Sequence, residues 1–229
     1  MTSPDRSAGV FETLLVRDGR VQARDRHLAR LAASVAGLYD RSLPPGLDDQ
    51  VNQRTRGLTG AHRLRVDAVP FPAELRIALT TSPLDPQRAR RWACTPLTLP
   101  GGQGDHKWCD RTRLSVPEGV ALLVDEDDAV LEAAWANVWM LDGRRLITPP
   151  VDGRILPGVT RARLLELAPS LGLQPEQRRI SLDEARAAPA IILTSSLTLA
   201  AGAAVGTVPA PEDGTVQAIR EALLAGEWS

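Results

Sequence analysis

Lys107 is the only lysine in the chain; the other 26 of its 27 lysine and arginine residues are arginine. Arginine can solvate, pair and bridge anions, but it stays protonated and offers no nucleophilic amine. A lysine can lose its proton and form an imine with a carbonyl. Lys107 is therefore a candidate Schiff-base residue. A coding bias toward arginine that spared one lysine accounts for the count equally well, so the surrounding residues have to decide.

Three other stretches bear on that choice. Leu156-Pro157-Gly158-Val159-Thr160 reads as a glycine-containing turn that opens a helix. Free backbone N–H groups and the positive dipole end there suit a phosphate, with the Thr160 hydroxyl as a further donor; ordinary helix capping explains the same residues. Thr194-Ser195-Ser196 follows an apolar run, where hydroxyls either make a turn or hold phosphate oxygens. Glu132 is the only charged residue between Val130 and Leu141. It is either a solvent-facing carboxylate on an alternating strand or a buried one that needs a cationic partner, such as a protonated ring nitrogen. An amine, an acid and a set of anion donors together are what pyridoxal 5′-phosphate requires.

The elements that must position these residues can be read in order. Phe11 to Val16 is a strand, Asp18-Gly19 a turn, and Val21 the start of a return. Asp25 is placed to cap a helix carrying Leu28, Leu31, Val35 and Leu38 on one stripe, with His27 and Arg30 beside it. Residues 48–58 suggest a second helix. Arg63 to Val69 and Glu74 to Thr80 are strands, and Arg88 to Leu99 is extended. Pro100 to Gly104 is the most flexible stretch and the natural linker. Beyond it, Val120 to Val124 and Val130 to Leu141 read as strands around the acidic turn Asp125 to Asp128, followed by Arg145 to Thr148. Ser181 is placed to cap a short helix, Ala190 to Leu193 is a buried strand, and an amphipathic helix runs from about Thr215 to Leu224. The expected class is α+β in two domains, residues 1–99 and 107–229, with 100–106 between them.

A net charge of −1 gives no electrostatic case for nucleic acid or an anionic membrane, and 3% aromatic residues cannot build a base-stacking surface. No apolar run approaches the roughly 20 residues of a membrane span, and the N-terminal stretch lacks the apolar region of a signal peptide. Two cysteines and three histidines make neither a disulfide framework nor a metal site, so a cytoplasmic setting is expected.

The ordered set Val10-Phe11-Glu12-Thr13-Leu14, His27-Leu28-Ala29-Arg30-Leu31, Lys107, Leu131-Glu132 with Asn137, Leu146-Ile147-Thr148-Pro149, Ile155 to Arg161 and Thr194-Ser195-Ser196-Leu197 resembles the fold-type IV pyridoxal-phosphate enzymes, the class IV aminotransferases. That group includes branched-chain aminotransferases, D-amino-acid transaminases and 4-amino-4-deoxychorismate lyases. The resemblance implies a small N-terminal α/β domain, a larger C-terminal pseudo-barrel domain and a homodimer. It implies that Lys107 is the Schiff-base lysine and Glu132 the pyridine-nitrogen partner. Arg30, Val159, Thr160 and Ser196 would form the phosphate cradle, with Thr13 near a small amino substrate. Members usually carry a further strand and a DRG…GDG-like segment before Phe-Glu-Thr, where only ten residues precede Phe11 here. Trp108-Cys109-Asp110-Arg111 lacks the tyrosine that branched-chain aminotransferases place after the lysine. The compact length and the Phe-Glu-Thr start are most similar to the lyase branch, which eliminates pyruvate to leave 4-aminobenzoate. A substrate with two carboxylates needs arginines, and Arg111 and Arg113 are the candidates, unless both are solvated surface residues. The alternatives are an aminotransferase of the D-amino-acid or branched-chain type, or a non-catalytic ligand-binding protein on the same fold.

Overall fold

The computed structural model describes residues 3–85, 91–205 and 214–229. Two compact units are present: Met1–Arg88 with His106–Arg111 and Gly226–Ser229, and Ala89–Asp105 with Thr112–Ala225.

The first unit is a four-stranded antiparallel sheet backed by helices. Its elements are β1 (Val10–Arg17), β2 (Arg20–Val21), α1 (Arg24–Tyr39), α2 (Leu47–Thr55), β3 (Ala61–Pro70) and β4 (Leu75–Pro83), in sheet order β2-β1-β3-β4. The strand period of two sends Val10, Leu14 and Val16 of β1 and Leu64, Val66 and Ala68 of β3 into one core with Leu28, Leu31 and Val35 of α1. Phe11 and Thr13, opposite Asp67 and Arg65 of β3, occupy the other face. The expected α1 stripe is present, but its start differs. The N-cap is Ala23, in the left-handed region at φ 48° and with no side-chain cap, and Asp25 lies inside the first turn. The Ala23 N–H is taken by the Glu227 carbonyl at 2.7 Å.

The second unit holds β5 (Arg91–Thr98), β6 (Val120–Val124), β7 (Ala129–Ala133), β8 (Ala136–Asp142), β9 (Arg145–Thr148), α3 (Val159–Leu167), β10 (Gln174–Gln177), β11 (Ile180–Ser181), α4 (Leu182–Ala187), β12 (Ala190–Ser195), β13 (Leu199–Val205) and α5 (Gly214–Ala225). The sheet order is β10-β9-β8-β12-β13-β5-β6-β7-β11, and an additional β7–β8 pairing closes six strands into a barrel. This is the pseudo-barrel of the expected fold. All of β6 is buried: Val120, Leu122 and Val124 join one core and Ala121 and Leu123 another, so the barrel wall is apolar on both faces.

Three expectations are corrected. The run Val130 to Leu141 is not one strand but a hairpin with Ala134-Trp135 as its turn. The Ala134 N–H leaves the hairpin ladder for the Ala121 carbonyl at 2.8 Å, which bends the chain without Gly or Pro. The extended stretch begins, within the described residues, at Arg91; residues 88–90 lie outside them. That strand, β5, is hydrogen-bonded between β13 and β6 of the second unit rather than lying in the first domain. The glycines at 101–104 also belong to the second unit and are pinned, not loose. The Gly101 N–H reaches Asp125 Oδ1 at 3.0 Å, and a Cβ on Gly102 (φ 67°) would lie 2.1 Å from the Arg154 carbonyl. Glycine is needed there for close approach.

Candidate active site

In the first unit, β1 and α1 meet through a buried carboxylate. Glu12 projects from β1 toward α1 and is almost fully buried, as is His27. Arg30 donates from Nε to Glu12 Oε1 at 2.7 Å and from Nη2 to Oε2 at 2.8 Å. His27 Nδ1 lies 2.7 Å from the same Oε2. Burial alone would raise the Glu12 carboxyl, but Arg30 and His27 outweigh it and hold Glu12 well below the usual carboxylate range. Burial lowers the His27 imidazole, with smaller contributions from the Arg30 and Lys107 charges. A neutral His27 then donates from Nδ1 to an ionised Glu12. The i, i+3 spacing of His27 and Arg30 places both on one side of α1.

Lys107 is tied to the N-terminal end of β1, beside Glu12. Phe11 N–H donates to the Lys107 carbonyl at 2.9 Å and Cys109 N–H to the Gly9 carbonyl at 2.9 Å; Val10 pairs with Trp108, which is buried in the same core. These bonds fix the backbone that carries the amine. Lys107 Nζ lies 4.9 Å from the centroid of the Phe11 ring, Arg65 at 3.8 Å and Arg111 at 5.4 Å. Arg65 is held by Asp67, Nε to Oδ2 at 2.9 Å, beside Cys109, whose thiol burial and Asp67 push up to about 11. Thr13 is half-buried on the same face of the sheet as Phe11.

In the second unit, the β7–β8 hairpin sets Glu132 directly opposite Asn137. Glu132 is buried, which rules out the solvent-face reading. Its Oε2 accepts the Leu156 N–H at 3.2 Å, and Asn137 Nδ2 donates to the Leu156 carbonyl at 2.9 Å. Two residues on, Gly158 is the N-cap of α3 and supplies no side-chain cap. The first N–H groups of α3, from Val159 and Thr160, are thus left to other acceptors, and the Thr160 side chain is buried there. Ser196 is half-buried in the turn after β12. In that turn the buried Thr198 hydroxyl has no hydrogen-bond partner among the described residues. Arg113 is half-buried in a short 3-10 turn of this unit, whereas Arg111 belongs to the first.

Residues 113–204 match the family described as Amino-transferase class IV. That stretch, less than half of the chain, is similar to the class IV aminotransferases. The likeness of fold extends over nearly all of the chain: the fold IV-transaminase CpuTA1 from Curtobacterium pusillum superposes with a TM-score of 0.84 at 26% identity, covering 96% of this chain and 87% of that one. A hypothetical aminotransferase from Mycobacterium tuberculosis in a PLP-bound form gives 0.81 at 25% identity, covering 96% and 89%. A candidate 4-amino-4-deoxychorismate lyase from Legionella pneumophila gives 0.82 at 18% identity, covering 98% and 94%, a likeness of fold. The probable branched-chain-amino-acid aminotransferase of Staphylococcus aureus (strain N315) is 41% identical over 59 residues, 26% of this chain but 16% of that protein. No described helix is long and apolar enough to cross a membrane.

The sequence reading did not foresee the roles of Glu12, His27, Asn137 and Thr198. Glu12 carried the same signal as Glu132, a lone acid in an apolar strand, and an acid on β1 beside His27 and Arg30 could have been paired with them on charge alone.

Proposed function

We propose that the chain is a pyridoxal-phosphate-dependent lyase that converts 4-amino-4-deoxychorismate to 4-aminobenzoate and pyruvate. The donor set fits the cofactor. Lys107 has the amine that would hold its aldehyde carbon. Glu132 is a buried acid for the ring nitrogen. The uncapped N–H groups of Val159 and Thr160, with Ser196 and the orphaned Thr198 hydroxyl, suit its phosphate by their chemistry, and Arg30 is a further candidate by residue type. When bound, the protonated ring supplies an electron sink for the substrate carbon that bears the amine. Lys107 Nζ would take the proton from that carbon; the substrate ring becomes aromatic as its carbon–oxygen bond to the enolpyruvyl group breaks, and the proton passes to the leaving enolpyruvate, which becomes pyruvate. Glu132 keeps the ring nitrogen protonated. The homodimer, the small amino substrate and the cytoplasmic setting are parts of the same proposal; light scattering of the purified protein checks the first.

The observation that carries the lyase reading is the crowding of Arg65, Arg111 and Lys107 on one Phe11 ring. A cation-rich surface beside the reacting amine suits a substrate with two carboxylates and not a branched aliphatic side chain. The second reading, an aminotransferase, is favoured by the names of CpuTA1 and of the staphylococcal relative. Parallel assays decide between them: pyruvate release from aminodeoxychorismate, and amino transfer from leucine and from D-alanine to 2-oxoglutarate. Rapid transfer without pyruvate release would put the second reading first.

A further inference from the structure

Glu132 and Asn137 face each other across the β7–β8 pair, so their side chains stand on the same side of the hairpin. Both reach one residue of a distant loop. Glu132 takes the N–H of Leu156 and Asn137 its carbonyl, at 3.2 and 2.9 Å. Leu156 is thus gripped at both ends by a single cross-strand pair. Pro157 follows, with a fixed φ and no N–H, and Gly158 then begins α3.

The grip continues at Gly158. A Cβ built there would lie 1.8 Å from Asn137 Oδ1, so the amide packs directly onto the glycine backbone. Gly158 has φ −66°, which any residue adopts. The glycine is therefore required by the presence of Asn137 and not by its own conformation. One amide holds the loop on both sides of Pro157, with Nδ2 on the Leu156 carbonyl and Oδ1 against Gly158.

We propose that Asn137 is a positioning residue that fixes the uncapped N-terminus of α3 relative to the Glu132 carboxylate. The inference rests on the cofactor reading and deepens it. A ring nitrogen and a phosphate are separated by a rigid molecule. An acid and a set of N–H donors that serve both must therefore be held at one spacing, and the Asn137 amide is the covalent body that spans it. Without it, the Leu156 carbonyl loses its donor and the amide no longer packs on Gly158, and the N–H groups of Val159 and Thr160 lose their fixed direction.

The test compares Asn137→Ala and Asn137→Asp with the wild type, titrating each cofactor-free protein with pyridoxal 5′-phosphate and with pyridoxal, which lacks the phosphate. Asn137→Asp keeps the shape but removes the Nδ2 donor, and serves if the alanine variant fails to fold. The expected result is a phosphate-specific loss: affinity for pyridoxal 5′-phosphate falls about tenfold or more, while affinity for pyridoxal changes less than about threefold. Amide exchange at Leu156 to Thr160 should quicken in the same variants. Equal losses for both ligands, or no loss for either, overturn the positioning role and leave the cofactor reading standing. A wild-type protein that binds neither ligand removes both.

Discussion

Glu12 grips Arg30 at both prongs of its guanidinium, at 2.7 and 2.8 Å, from a position almost fully out of water. A bidentate fork fixes direction as well as charge. It leaves α1 unable to rotate Arg30 without breaking two charged hydrogen bonds, so whatever anion Arg30 serves meets an oriented donor plane. Replacing Glu12 by Gln leaves the cation beside a neutral amide. Breaking a buried pair on one side costs about 3–5 kcal/mol, and chemical denaturation should show a loss of that size together with weaker cofactor retention. A loss under about 1 kcal/mol would mean that the pair is solvated in solution.

The same cluster sets an acid limit on stability. Glu12 is held below its unfolded value and His27 is lowered by burial. In both cases the unfolded chain binds the proton more readily than the folded one. The stabilisation is therefore complete above the unfolded pKa and is lost as pH falls toward the folded one. For His27 that window opens near pH 6.5 and for Glu12 near 4.3. Denaturation midpoints should decline in two stages as pH falls, the first by up to about 1.4 kcal/mol per pH unit. His27→Gln should remove the first stage. A flat profile from pH 7 to 5 in the wild type would count against a neutral buried His27.

Lys107→Arg preserves the charge over Phe11 but not the amine. The variant should fold with an unchanged melting temperature within about 2 °C, as surface-scale substitutions do, yet show no visible cofactor band and no borohydride-stable label. A label recovered on any peptide of the variant would reassign the anchor.

Gly158→Ala should destabilise the protein by about 1–3 kcal/mol, the usual range for overpacking, because its methyl would overlap Asn137 Oδ1. In an Asn137→Ala background the same substitution should cost less than about 1 kcal/mol, since the obstructing atom is gone. The two costs, measured by denaturant melts, form a double-mutant cycle. Additive costs would place the clash elsewhere.

Local pattern made the chemistry of this chain readable and left its geometry hidden. Lys107, the α1 stripe and the Leu156–Thr160 turn are legible because a residue type or a period marks them. The turn at Ala134-Trp135 carries no turn residue; it is set by a carbonyl on β6, a partner that no local window contains. Glycines 101, 102 and 104 read as a flexible joint, since composition cannot separate a glycine that bends freely from one crowded by a carbonyl. Glu132 resisted assignment for a related reason. An acid in an apolar run is either face of a strand until the hairpin is known, and the hairpin was the missed element.

The first unit draws on three stretches far apart in the chain: its sheet, the Lys107 segment and residues 226–229. Gln22 pairs with Trp228, and the Val21 N–H donates to the Ser229 carbonyl at 2.7 Å. During synthesis, which tends to let N-terminal units fold first, this one must wait. Its sheet leaves the ribosome early, but the β2 edge is not covered until residue 229 has been translated, after the whole barrel has emerged. The order of synthesis therefore leaves that sheet edge open until residues 226–229, which follow the barrel strands in the chain, become available to pair with it.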